Sequence, residues 1–297
     1  MISIKSRIPD NAATAGFLGT EREGAGVRIQ SNGLILTVSY LVLEATEIWL
    51  TNHRGQTTPG HIVAHDFESG LCLLLPSTPI GHEYLTMATT KEVSRGDELT
   101  IYNNTSGPPL PCRILSTAEF VGRWEYLIDH ALYTLPACDD WGGAALVTGN
   151  NELLGIGSLF LEFPSADQSK LFGNMFVPVE LIAEHVHDIY SAGRRHSPPR
   201  PWLGAFIDAD DEGLVISGLY PAGPAATAGL EPGDRILTIA ASPIQTTSGF
   251  LRTLWGLGDA GVEVPLWVER DGQRIEIVVN SADRCDYFQP FRSGGLN

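Results

Sequence analysis

The chain has 297 residues, of which 43% are hydrophobic and 18% are charged, a composition typical of a folded globular protein rather than a disordered one. Its net charge of −16 disfavours non-specific binding to nucleic acid and to an anionic membrane surface, so we expect neither as a partner. This length is enough for two or three compact units.

The first two thirds of the chain consist of short apolar runs separated by Gly, Pro and Asn. The segments 26–43 and 144–163 each contain two such runs around a turn signal, Ser-Asn-Gly in the first and Gly-Asn-Asn in the second. Many short strands at this spacing predict a sandwich or a barrel rather than a parallel α/β sheet. The other strands predicted in this part are EIWLTN, GHIVAHD, GLCLLLP, ELTIYNN and CRILSTAEFVG.

A helix is predicted over 178–193, because apolar residues recur at helical spacing and a glycine follows. The next stretch, RRHSPPRP (194–201), cannot continue the helix because of its prolines, so we interpret it as a linker. We therefore predict a first domain at 1–193, a second at 202–281 and a C-terminal tail at 282–297. In the second domain the predicted strands are GLVISGLY, RILTIA and EVPLWVERDGQRIEIVVN, and the predicted helices are 224–229 and 248–258.

The cysteines and the apolar runs indicate the compartment. Cys72, Cys112, Cys138 and Cys285 show neither a Cys-x-x-Cys pair nor the spacing of a metal site. The N-terminal residues contain no apolar segment of the signal-peptide type, and no run reaches the roughly 18 apolar residues of a membrane span. We expect a cytoplasmic protein that needs no cofactor.

Two histidine pairs are candidate metal ligands. His61 and His65 are predicted on one face of a strand, and His185 and His187 on the helix at 178–193. Spacing places no third ligand beside either pair, so structural or solvated roles are favoured, while metal binding by either pair stays open.

The second domain resembles a PDZ domain of the bacterial HtrA/DegP class. The resemblance rests on PWLGAF and, further on, GPAATAGLEPGD, in which Gly-Pro opens a short helix, Gly229 ends it and Pro-Gly-Asp turns into a strand. PDZ domains bind a peptide C-terminus by adding it to a sheet edge. The implied carboxylate site is the backbone N–H groups of Trp202, Leu203, Gly204 and Ala205, with apolar contacts from Phe206, Leu251 and Leu254. These apolar side chains could instead form only the core of the domain.

A PDZ domain of this class usually follows a chymotrypsin-like protease domain, and residues 20–190 resemble one. The resemblance is carried by GAGVRIQSNGLILTVSYLVLEA, GHIVAHDFESGLCLLL, RGDELTIYNN, CDDWGGAALV with NNELLGIGS, and GNMFVPVELI. It implies a mostly β chain, with a chymotrypsin-like double six-stranded β-barrel followed by an α+β PDZ domain.

The same resemblance indicates which residues occupy the catalytic positions. Trp141 stands where the family has its nucleophilic serine, Tyr40 where it has the general-base histidine, and Gly70 where it has the aspartate. Asp139 replaces the glycine whose N–H helps to form the oxyanion hole. Acyl transfer of this kind needs a hydroxyl or thiol nucleophile, a base and oxyanion donors. We therefore expect a chain that is not an enzyme, in which Trp141 fills the former cleft.

The function expected from the sequence is that of a pseudoprotease. It would act as a scaffold, adaptor or chaperone-like factor, binding protein partners through the PDZ groove and the barrel surface. Because active HtrA-like proteins are commonly trimers, the resemblance also implies a possible homo-oligomer. The alternative is a hydrolase or peptidase with a relocated or metal-assisted mechanism, for which chelator-sensitive turnover requiring His61 and His65 would be the sign.

Overall fold

A computed structural model describes residues 1–91, 93–103, 108–164 and 170–288. The chain forms two compact units: unit 1 contains 1–119 and 128–195, and unit 2 contains 120–127 and 196–297. The predicted division places 120–127 in the first domain, whereas the structure groups this segment with the second unit. Residues 289–297 of the predicted tail lie outside the described residues.

The first half of unit 1 is a closed barrel with the strand order β1-β2-β3-β6-β5-β4. Strand β1 alternates in burial, with Ile2 and Ile4 inside and Lys5 and Arg7 outside, which is the period-two pattern of a half-buried strand. Strand β3 is buried throughout because it lies between β2 and β6. The strands are β1 (Ile2–Arg7), β2 (Glu21–Arg28), β3 (Ile35–Val38), β4 (Glu47–Asn52), β5 (Thr57–Asp66) and β6 (Leu71–Pro76).

The second half of unit 1 is another closed barrel, with the strand order β10-β11-β12-β9-β8-β7. Its core includes Ile101, Leu132, Leu146 and Phe176, all buried. These two barrels confirm the mostly β fold class. The strands are β7 (Glu98–Tyr102), β8 (Leu110–Gly122), β9 (Tyr126–Leu135), β10 (Ala145–Val147), β11 (Leu153–Pro164) and β12 (Lys170–Pro178).

Short helices complete unit 1. Helix α1 (Ala15–Leu18) lies between β1 and β2. Where the sequence predicts one helix over 178–193, the structure has two, α2 (Glu180–Ala183) and α3 (Val186–Ala192). The helix breaks because the N–H of His185 donates to Ile182 three residues back, which tightens the turn between them.

Unit 2 is a sheet with the order β13-β14-β15-β17-β18, in which β16 pairs with β15. Helix α5 packs Phe250, Leu251 and Leu254 into the core beneath this sheet. The elements are β13 (Ala205–Asp210), β14 (Gly213–Leu219), α4 (Pro224–Thr227), β15 (Arg235–Ile239), β16 (Ser242–Pro243), α5 (Thr247–Gly256), β17 (Glu263–Arg270), β18 (Gln273–Asn280) and α6 (Arg284–Tyr287).

Within the described ranges, no helix is both long and apolar enough to span a bilayer.

A buried ion pair fixes the end of β5 in unit 1. The guanidinium of Arg195 donates from Nε to Oδ1 of Asp66 (2.8 Å) and from Nη2 to Oδ2 (2.7 Å), and Nη2 also donates to the carbonyl of Leu181. Ser69 donates its hydroxyl to the same carboxylate. The side chain of Asp66 is only 3% exposed, so its charge depends on these partners. Glu68 approaches Arg195 at 3.5 Å from a more exposed position.

We predict that Asp66→Asn lowers the free energy of unfolding by about 3 kcal/mol, because it leaves the arginine without its buried partner. The matched control is Glu68→Gln, which removes the more exposed carboxylate from the same arginine and is expected to cost less than about 1 kcal/mol. Chemical denaturation of both variants measures the difference. Equal effects would show that the Asp66 pair does not determine the local stability.

Candidate functional site

The structure brings Tyr40, Asp139 and Trp141 to one cavity of about 290 Å³ in unit 1. Gly70 is not among the lining residues; its carbonyl accepts a hydrogen bond from the N–H of Ser39, next to Tyr40. Three carboxylates make the cavity acidic, and two aromatic rings also line it. The lining residues are Glu23, Gly24, Tyr40, Leu41, Asp139, Asp140, Trp141 and Gly142.

The two glycines after Trp141 are required by the backbone around them. Gly143 has φ of 77°, in the left-handed region, and a β-carbon there would lie 1.8 Å from the carbonyl oxygen of Ala25. The carbonyl of Gly142 accepts the N–H of Ala25 at 2.8 Å. The turn after Trp141 is therefore fixed by main-chain contacts with β2, and a side chain at 143 has no room.

The Tyr40 hydroxyl donates to the carbonyl of Ser158 at 2.9 Å. Burial raises the pKa of this hydroxyl above its ordinary value, and a side-chain hydrogen bond with Trp141 opposes the shift. Tyr40 is therefore protonated at neutral pH and acts here as a donor. The indole of Trp141 is partly exposed and lies with its ring centroid 5.5 Å from that of Phe160.

A second site is formed by the loop before β13 in unit 2, where three consecutive backbone N–H groups converge on one carboxylate. Leu203 donates to Oε2 of Glu125 at 2.9 Å, and Gly204 and Ala205 donate to Oε1 at 2.7 and 2.9 Å. The chain can turn its amides inward because Gly204 has φ of 78°. Successive N–H groups of this kind form a concave anion-binding site.

Glu125 is buried at 6% exposure and has φ of 56°, a conformation that non-glycine residues rarely adopt. Burial raises the pKa of its carboxyl, while the N–H groups of the loop and the charge of Arg284 oppose the rise. Such backbone strain persists only where the surroundings hold the residue in place. The three N–H donors are the contacts that hold it.

The remaining residues of the predicted groove lie in different environments. Leu203, Leu251 and Leu254 share one core cluster, with Leu251 and Leu254 at 0% exposure. Phe206 lies on the opposite face of β13, because its neighbours Ala205 and Ile207 point into the core, and its ring stacks on Tyr220 at 4.8 Å.

Trp202 contributes its backbone and its ring in different ways. Its N–H and carbonyl pair with Ala282, and its ring is buried against Tyr220 and Tyr287, with centroids 5.4 and 4.8 Å away. Trp202 therefore anchors the start of the loop through these contacts, and its N–H is not among the donors to the Glu125 carboxylate.

Sequence reasoning missed Glu125. The segment GRWEYL has a glycine followed by four polar or aromatic residues at the end of a predicted strand, which is a turn signal. Nothing local indicates that its glutamate contacts a loop 78 residues further along the chain. Such a contact depends on tertiary structure and not on local propensity.

Both members of the first histidine pair lie beside a hydroxyl group. His61 Nε2 lies 3.0 Å from Ser77 Oγ, and His65 Nδ1 lies 3.2 Å from Ser39 Oγ. His185 precedes α3, while His187 lies within it. Among the residues that the structure describes, no group of three or more His, Cys, Asp and Glu side chains could hold a metal ion. Structural or solvated roles stay the prediction for both pairs, and these contacts do not strengthen the alternative of metal binding.

Residues 24–156 match the family model of the trypsin-like peptidase domain, and residues 201–280 match the model of the PDZ domain. The chain is 23% identical over 283 residues to a "Probable periplasmic serine endoprotease DegP-like" of Halomonas elongata, covering 89% of this chain and 57% of that protein. It is 23% identical over 267 residues to the periplasmic serine endoprotease DegP of Escherichia coli, covering 86% and 56%. The chain thus spans little more than half the length of these relatives.

Among solved structures, the chain is similar to the HtrA-type protease AlgW with decapeptide, at a TM-score of 0.56 and 23% identity, covering 89% of this chain and 85% of that chain. The chain consists of a trypsin-like domain followed by a PDZ domain, the arrangement of the HtrA fold. These matches support the resemblance to HtrA-type proteins.

The comparisons correct one expectation. From Tyr40, Gly70 and Trp141 we expected a chain that is not an enzyme. The relatives that it matches, at about 23% identity, are named serine endoproteases, and this points to a protease instead. The expectation depended on what three side chains lack. The side chains at these three positions do not by themselves determine what the other polar groups of the cavity do.

We predict that Gly143→Ala lowers the free energy of unfolding by at least about 2 kcal/mol, because it adds left-handed strain and a clash with the Ala25 carbonyl. Gly149→Ala is the matched control. A β-carbon there meets nothing within 4 Å, so its effect should stay within about 0.5 kcal/mol. Thermal or chemical unfolding measures both variants. A Gly143→Ala chain as stable as the control would show that the turn relaxes freely.

Proposed function

We propose that this chain binds protein partners by taking an extended, carboxylate-bearing peptide segment at the 202–205 loop and along β13 of unit 2. In this role it is a scaffold, adaptor or chaperone-like factor of the HtrA type. The proposal concerns binding by unit 2 and is independent of the chemistry at the cavity of unit 1.

One observation carries the proposal: the N–H groups of Leu203, Gly204 and Ala205 are all aimed at a single carboxylate. Hydrogen bonds to a charged acceptor are stronger than those between neutral groups. Donors arranged in this way favour an anion with two oxygens over a neutral acceptor. A peptide C-terminus presents the same group as the glutamate side chain that is bound there.

The strand beside the loop supports the same function. The sheet order places β13 at one end of the sheet, with β14 on its inner side. Adding a peptide strand at such an edge gives affinity through main-chain hydrogen bonds, whatever the side chains of the ligand. The solved structure of AlgW with decapeptide, which has the same fold, is consistent with peptide binding by this class.

We also propose that the partner is a protein and that several copies of the chain act together, as in the homo-oligomer implied by the HtrA resemblance. Single contacts of PDZ type are weak, on the order of 1 μM or weaker, which corresponds to about −8 kcal/mol or less favourable. Linking two or three grooves would raise the apparent affinity without any new contact.

The prediction is that full-length chain binds peptides with a free C-terminal carboxylate and loses most of this binding when the same peptides are amidated. A peptide array of matched free-acid and amidated C-termini, probed with the labelled full chain, provides the measurement. Losing the charge removes the stronger hydrogen bonds, each of about 1.5–3 kcal/mol, so the loss should be at least about tenfold.

Equal binding of free-acid and amidated peptides would contradict carboxylate recognition by the loop. As an internal control, the array includes pairs whose common sequence contains no aspartate. The two members of such a pair then differ only in the terminal carboxylate.

A further inference from the structure

We propose that residues 120–127 are an intramolecular ligand of the peptide groove of unit 2, in which the side-chain carboxylate of Glu125 takes the place of the terminal carboxylate of a bound peptide. This inference rests on the proposed function. It adds that a partner can bind fully only by displacing this segment.

The main chain of the segment pairs with β13. The N–H of Ile207 donates to the carbonyl of Arg123 at 2.8 Å. Since β14 occupies the inner side of β13, this bond is made at the edge where an added peptide strand would pair. Segment 120–127 therefore makes both kinds of contact expected of a ligand, a carboxylate bound by the loop and a main-chain hydrogen bond with the strand.

The side chains of the segment contribute apolar contacts. Leu127 is 6% exposed and belongs to the same buried cluster as Leu251 and Leu254 of α5, and Val121 packs against this cluster. Leu251 and Leu254, which the sequence predicted as groove contacts, are thus buried, and residues of the segment pack in the same cluster. Apolar side chains that fill such a pocket gain free energy by leaving water.

Two arginines make further contacts between the segment and the rest of unit 2. Arg123 lies with its Nη1 3.8 Å from Oδ2 of Asp208 and its guanidinium carbon 5.7 Å from the centre of the Phe206 ring. Arg284 donates to the carbonyl of Trp124 at 3.3 Å. Together with the left-handed backbone of Glu125, these contacts place the carboxylate directly over the loop.

A tethered ligand competes strongly with a free one. Its binding is intramolecular, and a peptide that binds only the unoccupied groove has its affinity reduced by the fraction of molecules in which the groove is empty. Weakening the Glu125 contact should therefore strengthen the binding of external peptides. A segment with only a structural role would give the opposite result or none.

The test compares wild-type full chain with Glu125→Ala and Glu125→Gln. The probes are fluorescent acetylated decapeptides that end in Val, Leu or Phe, each with a free carboxylate or a carboxamide, and binding is measured by anisotropy. We expect Glu125→Ala to bind the free-acid probes at least about tenfold more tightly than wild type, because three charge-assisted hydrogen bonds no longer compete. Amidated probes should gain much less.

Glu125→Gln keeps the volume of the side chain and removes its charge, so it should give a smaller gain in the same direction even if Glu125→Ala does not fold. The matched control is Glu276→Gln, an exposed carboxylate on β18 of the same unit, which should bind like wild type.

The outcomes separate the two proposals. Free-acid probes that bind wild type and both Glu125 variants with equal affinity would overturn the intramolecular ligand and leave peptide binding in place. Weaker binding by the folded variants would also overturn it, because the segment would then be part of the receptor. Absence of binding to all chains would overturn both proposals.

Discussion

A carboxylate held by three consecutive backbone N–H groups is the interaction on which the arrangement of unit 2 depends. Leu203, Gly204 and Ala205 direct their N–H groups to one point, and Glu125 supplies the acceptor there. Buried donors without acceptors are costly, so the loop needs an anion in this position whether it comes from the chain or from a partner. That requirement links local backbone geometry to the proposed binding: the turn at Gly204 brings the three N–H groups together, and we propose that they select a ligand by its charge.

The cavity of unit 1 is governed by a different constraint, namely the close approach of main chains. Gly143 lies so near the carbonyl of Ala25 that a side chain would clash. The hydroxyl of Tyr40 donates a hydrogen bond to the carbonyl of Ser158. These contacts fix the turn after Trp141 whatever residue stands at 141. Main-chain contacts thus hold this part of the trypsin-like fold in place, and the fold alone does not define the chemistry of the cavity.

Much of the fold could be predicted from the sequence, because its signals are local. Alternating burial in EIWLTN and the Asp-Gly turn in EVPLWVERDGQRIEIVVN correspond to β4 and to the β17–β18 hairpin with the same boundaries. The helix at 178–193 was predicted as continuous because apolar spacing does not reveal a change in hydrogen-bond pattern at His185. The contacts of 120–127 could not be predicted, since they join this segment to a loop and a strand that are distant in the sequence.

The most direct test of the account is amide hydrogen exchange at Leu203, Gly204 and Ala205 in the full-length chain, measured by NMR or mass spectrometry. The account predicts strong protection of all three amides in the wild type, loss of protection in Glu125→Ala, and its recovery when a free-acid peptide is added at saturating concentration. Exchange at these amides that is the same with and without the Glu125 carboxylate would contradict it.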